Sequence, residues 1–195
     1  MGRKKIIEDD ELLAVARGVF VENGIGVSTR EVARSAGISE AAIYQRYPTK
    51  EDLFFASMVL PPLDVETVLA DGPPDADVCG HLEIIALRML DYFREIMPIL
   101  VLLMTHSSFD FEEFSRRNPN SPLAGLRTGL VEYLQSQQEA GNVSLGKIGP
   151  AVLNLVSAVH SLALFERLGV HGGAFAEGDV RGMVRSLWWG LAPRF

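Results

Sequence analysis

Cysteine is nearly absent: Cys79 stands alone among 195 residues, so no internal disulfide can form and a reducing cytoplasmic compartment is expected. A basic surplus is also missing, since 18 Lys/Arg face 25 Asp/Glu for a net charge of −7, which at first sight argues against a polyanionic partner. No phosphate loop of the Gly-x-x-x-x-Gly-Lys type is found, and no Gly-x-Ser-x-Gly elbow. Cys79 and His81 lie two apart, but no second Cys/His pair follows at zinc spacing, and the four histidines are scattered. The expectation is therefore no enzyme, no metal and no cofactor. The opening Met-Gly-Arg-Lys-Lys runs into acidic residues without the apolar core of a signal peptide, and Ile6 stands where myristoylation needs Ser or Thr. Hydrophobic residues at 48% and charged residues at 22% exclude a disordered chain. The length allows one or two domains with a proper core.

What is present is helical patterning, with no convincing strand pairs. The most informative stretch runs from Ser28 to Leu53. Ser28 followed by Glu31 has the spacing of a capping box, and Val32, Ala33 and Ala36 give a small apolar face. Gly37 suits the left-handed conformation that ends a helix, and Ile38 can plug the angle to the next one. Ser39 is a second N-cap, starting a helix over Glu40 to Tyr47 that Pro48 stops. Two short helices joined by a glycine turn make a helix-turn-helix, which fits a helix into the DNA major groove.

Val32-Ala33, Ala36-Gly37-Ile38-Ser39, Ile43-Tyr44, Tyr47, Lys50 and Leu53 stand at matching places in a longer pattern. That pattern is Thr-x-x-x-Ile-Ala-x-x-Ala-Gly-Val-Ser-x-Gly-x-Leu-Tyr-x-x-Phe-x-x-Lys-x-x-Leu, and over roughly its first quarter the chain resembles the TetR family of transcriptional regulators. It departs at Ala41, where the family often has glycine, and at Glu40, where a neutral or basic residue is common. Glu40 faces DNA with the wrong charge, which either weakens binding or gives it a base-specific role, such as accepting from cytosine N4. The resemblance implies an all-α fold: an N-terminal three-helix DNA-binding domain with the helix-turn-helix, over residues 1–53, and a helical ligand-binding and dimerisation domain over 54–195. Charge is distributed accordingly. Residues 1–50 carry eight Lys/Arg against seven Asp/Glu, and the remainder ten against eighteen. The acidity thus lies mostly away from the DNA-binding part, whose positive groups must be focused rather than abundant.

Candidate DNA contacts follow residue by residue. Tyr44 and Lys50 match positions that hold phosphates in the family. Gln45 and Arg46, on the exposed part of the short helix, can reach adenine or guanine edges or form a solvated surface pair. Thr29 and Arg30 stand beside a helix N-terminus as candidates for phosphate, and Ser39, Glu40 and Ala41 open the recognition helix. Tyr47 is expected to pack. Lys4 and Lys5 form either an arm to neighbouring phosphates or a solubilising tail.

Beyond the helix that Ile7 to Asn23 starts, further helices are expected over Lys50–Leu60, Val78–Ile96, Ile99–His106 (fully buried, after a break or kink at Pro98), Phe109–Arg117, Pro122–Ala140, Gly149–Leu168 and Asp179–Leu191. Ile148 to Phe165 holds no charged residue, long enough to suggest a membrane span. Yet Asn154, Ser157 and Ser161 share one helical face and Pro150 suits a first turn, so a helix buried on most faces, partly by a second subunit, is the better account. In the resembling family the last two long helices form a four-helix dimer interface, and a dimer would read a palindromic operator. The resemblance also implies a small-molecule effector, apolar or aromatic if it is lined by Met89, Phe93, Met97, Met104, Phe109, Tyr133, His160 and Trp188. Two functions remain: a homodimeric, ligand-released transcriptional repressor, or a helical small-molecule-binding or interaction protein with weakened DNA binding.

Overall fold

The computed structural model describes residues 7–70, 72, 77–117, 122–144 and 146–189, and among them are ten α-helices and no strand. Lys4 and Lys5 lie outside the described residues. The chain divides into two compact units, one reaching Pro61 and including Pro98–Phe111, the other formed by Pro62–Met97 and the residues from Glu112 onward.

The first unit is built on α1 (Asp9–Asn23), α2 (Thr29–Ala36), α3 (Glu40–Tyr44) and α4 (Lys50–Ser57). Leu12, Ala16, Val19 and Phe20 recur at helical spacing and are the buried residues of α1. They pack against α2 and α4, where the Phe20 and Phe54 rings meet edge to face at 5.3 Å. Burying a side chain of that size contributes about 1.5–3 kcal/mol. His106 stacks on Phe54 with ring centroids 4.9 Å apart. The α4 helix opens on a complete capping box: Thr49 Oγ1 accepts from the Asp52 N–H, and Asp52 Oδ2 accepts from the Thr49 N–H. It ends at Ser57, three residues short of Leu60. There Arg17 Nε donates to the Ser57 carbonyl, satisfying a group that a longer helix would have used, and the Ser57 hydroxyl adds a second bond to the Phe54 carbonyl.

The second unit contains α5 (Val65–Leu69), the first part of α6 (Val78–Thr105), α8 (Pro122–Glu139), α9 (Ile148–Leu168) and α10 (Glu177–Trp188), while α7 (Phe111–Arg117) begins at the division. The α5 helix was not foreseen, although Asp64, whose carboxylate accepts from the Thr67 N–H, is its local N-cap signal. Gly129 on α8 allows α5 to approach: a Cβ there would lie 2.8 Å from Leu69 Cδ1 and 2.9 Å from Val65 Cγ1. Two ion-pair clusters tie distant helices. Glu166 on α9 accepts from Arg94 Nε and Nη2, both at 2.8 Å, and from the Phe175 N–H at 2.7 Å. Glu83 on α6 accepts from Arg185 Nε at 2.7 Å and Arg181 Nη1 at 3.0 Å. Its burial favours the neutral acid, but the hydrogen bonds from Arg185 and Arg181 outweigh that and hold the carboxyl below its usual range.

Of the two alternatives at Pro98, a new helix does not start there: α6 is one helix of 28 residues with the proline inside. Proline removes one helical hydrogen bond, but Ile96, Met97, Ile99 and Leu103 around it are buried, and that packing outweighs the loss. Nor is Ile99–His106 fully buried, for Met104 is 60% exposed. The α9 helix was expected to be buried partly by a second subunit, and a single chain shows only its own share. Its own chain buries it along one stripe, Ile148, Val152, Leu155, Val159 and Ala163, and leaves Leu153, Phe165 and Leu168 exposed. Among the described residues it is the one helix long and apolar enough to cross a membrane by length and composition.

Candidate nucleic-acid interface

The α2–turn–α3 segment forms as its local chemistry dictates. Ser28 Oγ accepts from the Glu31 N–H and Ser39 Oγ from the Ala42 N–H, both at 3.3 Å, so each helix starts on a satisfied donor. Only half of the expected box at Ser28 forms, because the Glu31 carboxylate turns to Arg34 at 3.1 Å. Gly37 takes φ 70, the left-handed conformation, and its N–H and that of Ile38 return to carbonyls of α2. Ala33 and Ala36 are buried beside Val32, and Ile43 anchors α3 to the core. The α3 helix ends at Tyr44, not Tyr47: Gln45 and Arg46 form a turn that carries the chain to Pro48.

This frame sets out the predicted contact residues unequally. Arg30 and Gln45 are exposed, as are Ser39 and Ala41 at the head of α3, and Lys50 is half-buried at the start of α4. Tyr44 is 44% exposed. Thr29 departs from expectation, being only 5% exposed. Its side chain turns inward, donating to Glu40 Oε1 at 2.5 Å and meeting Tyr44 Oη at 2.9 Å. The Thr29 hydroxyl is therefore engaged within the fold rather than turned outward. Arg46 is not an unengaged surface cation, since its Nη1 lies 2.8 Å from Asp9 Oδ1 on α1. Tyr47 is half-buried, its phenol pushed up first by burial and then by the Asp9 charge, consistent with a packing role. Ser28, Arg30, Glu31, Arg34, Ile38 and Glu40 line a shallow concavity on the outer side of α2 and α3.

Two of these links were not legible beforehand. The Thr29–Glu40–Tyr44 bonds join α2 to α3 across eleven and fifteen residues, and Arg46–Asp9 spans 37. An acidic first turn, Asp9, Asp10 and Glu11, was the available signal for the latter.

The expected effector residues are not one cluster. Met89, Phe93, Met97, Tyr133, His160 and Trp188 belong to the second unit, whereas Met104 and Phe109 belong to the first. Met89, Phe93 and Met97 are fully buried core. The structure brings Phe93 and His160 together edge to face at 5.4 Å, and burial lowers the His160 imidazole pKa. The Tyr133 hydroxyl is engaged with His81 Nδ1 at 2.8 Å, while His81 Nε2 reaches the Ala70 carbonyl at 3.2 Å. A hydrogen on Nε2 satisfies both contacts, so Tyr133 donates to Nδ1; burial pushes its phenol up to about 12. Trp188 instead lines a surface groove with Cys79, Glu83, Arg185 and Trp189.

Residues 12–57 match the sequence profile of the bacterial regulatory proteins, tetR family. No curated protein sequence matches the chain. Solved structures share the fold over nearly the whole length. NalD, the secondary repressor of the MexAB-OprM multidrug efflux pump in Pseudomonas aeruginosa, is 19% identical with a TM-score of 0.56, over 95% of this chain and 97% of that one. The flavonoid-responsive regulator FrrA is 22% identical with a TM-score of 0.60, covering 95% and 97%. A protein from Saccharomonospora viridis solved in complex with choline is 16% identical with a TM-score of 0.68, covering 95% and 97%. The helix-turn-helix thus lies within a segment that carries the tetR-family profile, and the chain shares the fold of these solved structures over nearly its whole length.

Proposed function

We propose that the protein is a cytoplasmic, homodimeric repressor that binds a palindromic operator and is released by a small apolar or aromatic effector. The observation that carries the DNA side of this reading is the helix-turn-helix, with Arg30, Tyr44, Gln45 and Lys50 at its surface. Lys50 and Arg30 supply charge for phosphates, Tyr44 a hydroxyl, and the start of α3 the base-facing surface. The exposed apolar residues of α9, Leu153, Phe165 and Leu168, support a dimer formed through α9 and α10, since single chains seldom leave such a stripe uncovered. For the effector, the support is the Phe93–His160 contact, a buried aromatic ring with a polar imidazole against it. A ligand there would release DNA only by binding one dimer shape better than the other.

The test is fluorescence anisotropy of the full-length protein on the intergenic DNA flanking its own gene, at two salt concentrations. Sequence-selective binding that weakens with salt is expected, because phosphate contacts release counterions. The double variant Tyr44→Ala/Lys50→Ala should lose at least about tenfold in affinity for every duplex while keeping its helical circular dichroism. Unchanged binding by that variant would refute the assignment of these contacts. Wild-type binding that is weak and equal on all DNA would favour the helical binding protein without an operator.

A further inference from the structure

Glu40 is the anomaly of this interface: an acid at the first position of a helix that faces a polyanion. The structure shows how it is held. Thr29 Oγ1 carries one proton, and its 2.5 Å contact with Glu40 Oε1 takes it. At the 2.9 Å contact Thr29 must then accept, so Tyr44 donates. The bonds run in one direction, Tyr44 O–H to Thr29 Oγ1–H to Glu40 Oε1, and both donors reinforce the charge on the carboxylate. Thr29, buried and β-branched, is a rigid support. Glu40 is thereby fixed by one oxygen, and its second oxygen has no partner among the described residues. The same carboxylate lines the concavity with Arg30 and Arg34.

We propose, resting on the DNA-binding reading above, that Glu40 is a specificity-determining residue that selects a cytosine in the major groove and acts against all other DNA by repulsion. A fixed carboxylate can only accept. In the major groove the exocyclic amino groups of cytosine and adenine donate, and cytosine offers its N4 amino group without an adjacent acceptor on the same base. Where guanine or thymine stands at that place, the free oxygen meets acceptors while the charge still repels phosphate. Specificity by penalising wrong partners is a recognised route. Thr29 is a positioning residue that acts through Glu40, and Tyr44 closes the hydrogen-bond chain in the free protein, its hydroxyl turning from Thr29 to a phosphate on DNA while the Thr29–Glu40 bond stays.

The test uses full-length protein, a randomised duplex pool with sequencing of bound fragments, and anisotropy on random duplex. The wild type is expected to enrich sites with cytosine at one fixed position. Glu40→Gln should lose most of that preference, about tenfold or more. It should also bind random duplex about fivefold more tightly, since a unit charge near phosphate has been removed. Thr29→Val should lose the cytosine preference without the gain on random duplex, because the charge remains. Tyr44→Phe should weaken all sequences alike, as loss of a phosphate contact does. If Glu40→Gln enriches the same sites as the wild type, or gains nothing on random duplex, the proposal is overturned. If the wild type itself enriches no sequence, the operator reading falls instead, and the two failures are distinct.

Discussion

Replacing Glu166 by Gln tests whether one partly buried carboxylate holds the last helices of the second unit in place. Glu166 receives both arms of the Arg94 fork and the Phe175 N–H, joining α6, α9 and the segment that leads into α10. Glutamine keeps the shape and one acceptor oxygen but sets an amide N–H against the guanidinium. Losing a charge-assisted bond costs about 1.5–3 kcal/mol, and breaking a fully buried pair costs about 3–5 kcal/mol. Arg94 is 36% exposed and keeps Asp91 at 3.1 Å, so its charge is not stranded. The lower range applies, about 2 kcal/mol. For a chain of this size that lowers Tm by roughly 4–8 °C.

The sign of the pH dependence is fixed. The Arg94 hydrogen bonds hold the Glu166 carboxyl below its ordinary value. A depressed carboxylate stabilises the fold above the unfolded glutamate pKa, about 4.3, and that stabilisation disappears as pH falls through the folded value. In calorimetry at one fixed protein concentration, wild type and Glu166→Gln should differ most near neutrality and converge as pH falls below about 4. A gap that persists unchanged in acid would show that the substitution acts through packing. No gap at neutral pH would refute the account of Arg94 and Glu166 altogether.

The other predictions concern the two surfaces. Asp9→Asn releases Arg46 from its 2.8 Å pair; because both partners are solvent-accessible, stability should change by less than about 1 kcal/mol. Anisotropy on random duplex should nonetheless show severalfold tighter binding with a steeper salt dependence, and an unchanged slope would mean Arg46 does not reach phosphate. Leu153→Glu combined with Phe165→Glu should convert a dimer to monomer in sedimentation velocity without loss of helix. Sedimentation identical to wild type would exclude that face of α9 as the interface.

Legibility in the sequence followed the range of the interactions. Ser28, Gly37 and Ser39 act on backbone groups within five residues, and each does what its type and spacing suggest. The helix-turn-helix was therefore readable without tertiary information. Even there, local logic failed where a long side chain had a choice: Glu31 took Arg34 rather than the Ser28 N–H, while the complete box formed at Thr49 and Asp52. No new helix starts at Pro98 because the proline's cost is local and its compensation is not. The buried residues on either side sustain the helix, and no window of sequence shows that they are buried. The contact surface obeys the same division. Thr29 belonged to the interface by position, yet its hydroxyl is drawn inward by residues eleven and fifteen places away. The exposed stripe on α9 makes the complementary point. Its apolarity was plain, but only the folded chain shows that one face, Ile148 to Ala163, is covered from within and that Leu153, Phe165 and Leu168 are left for something else to cover.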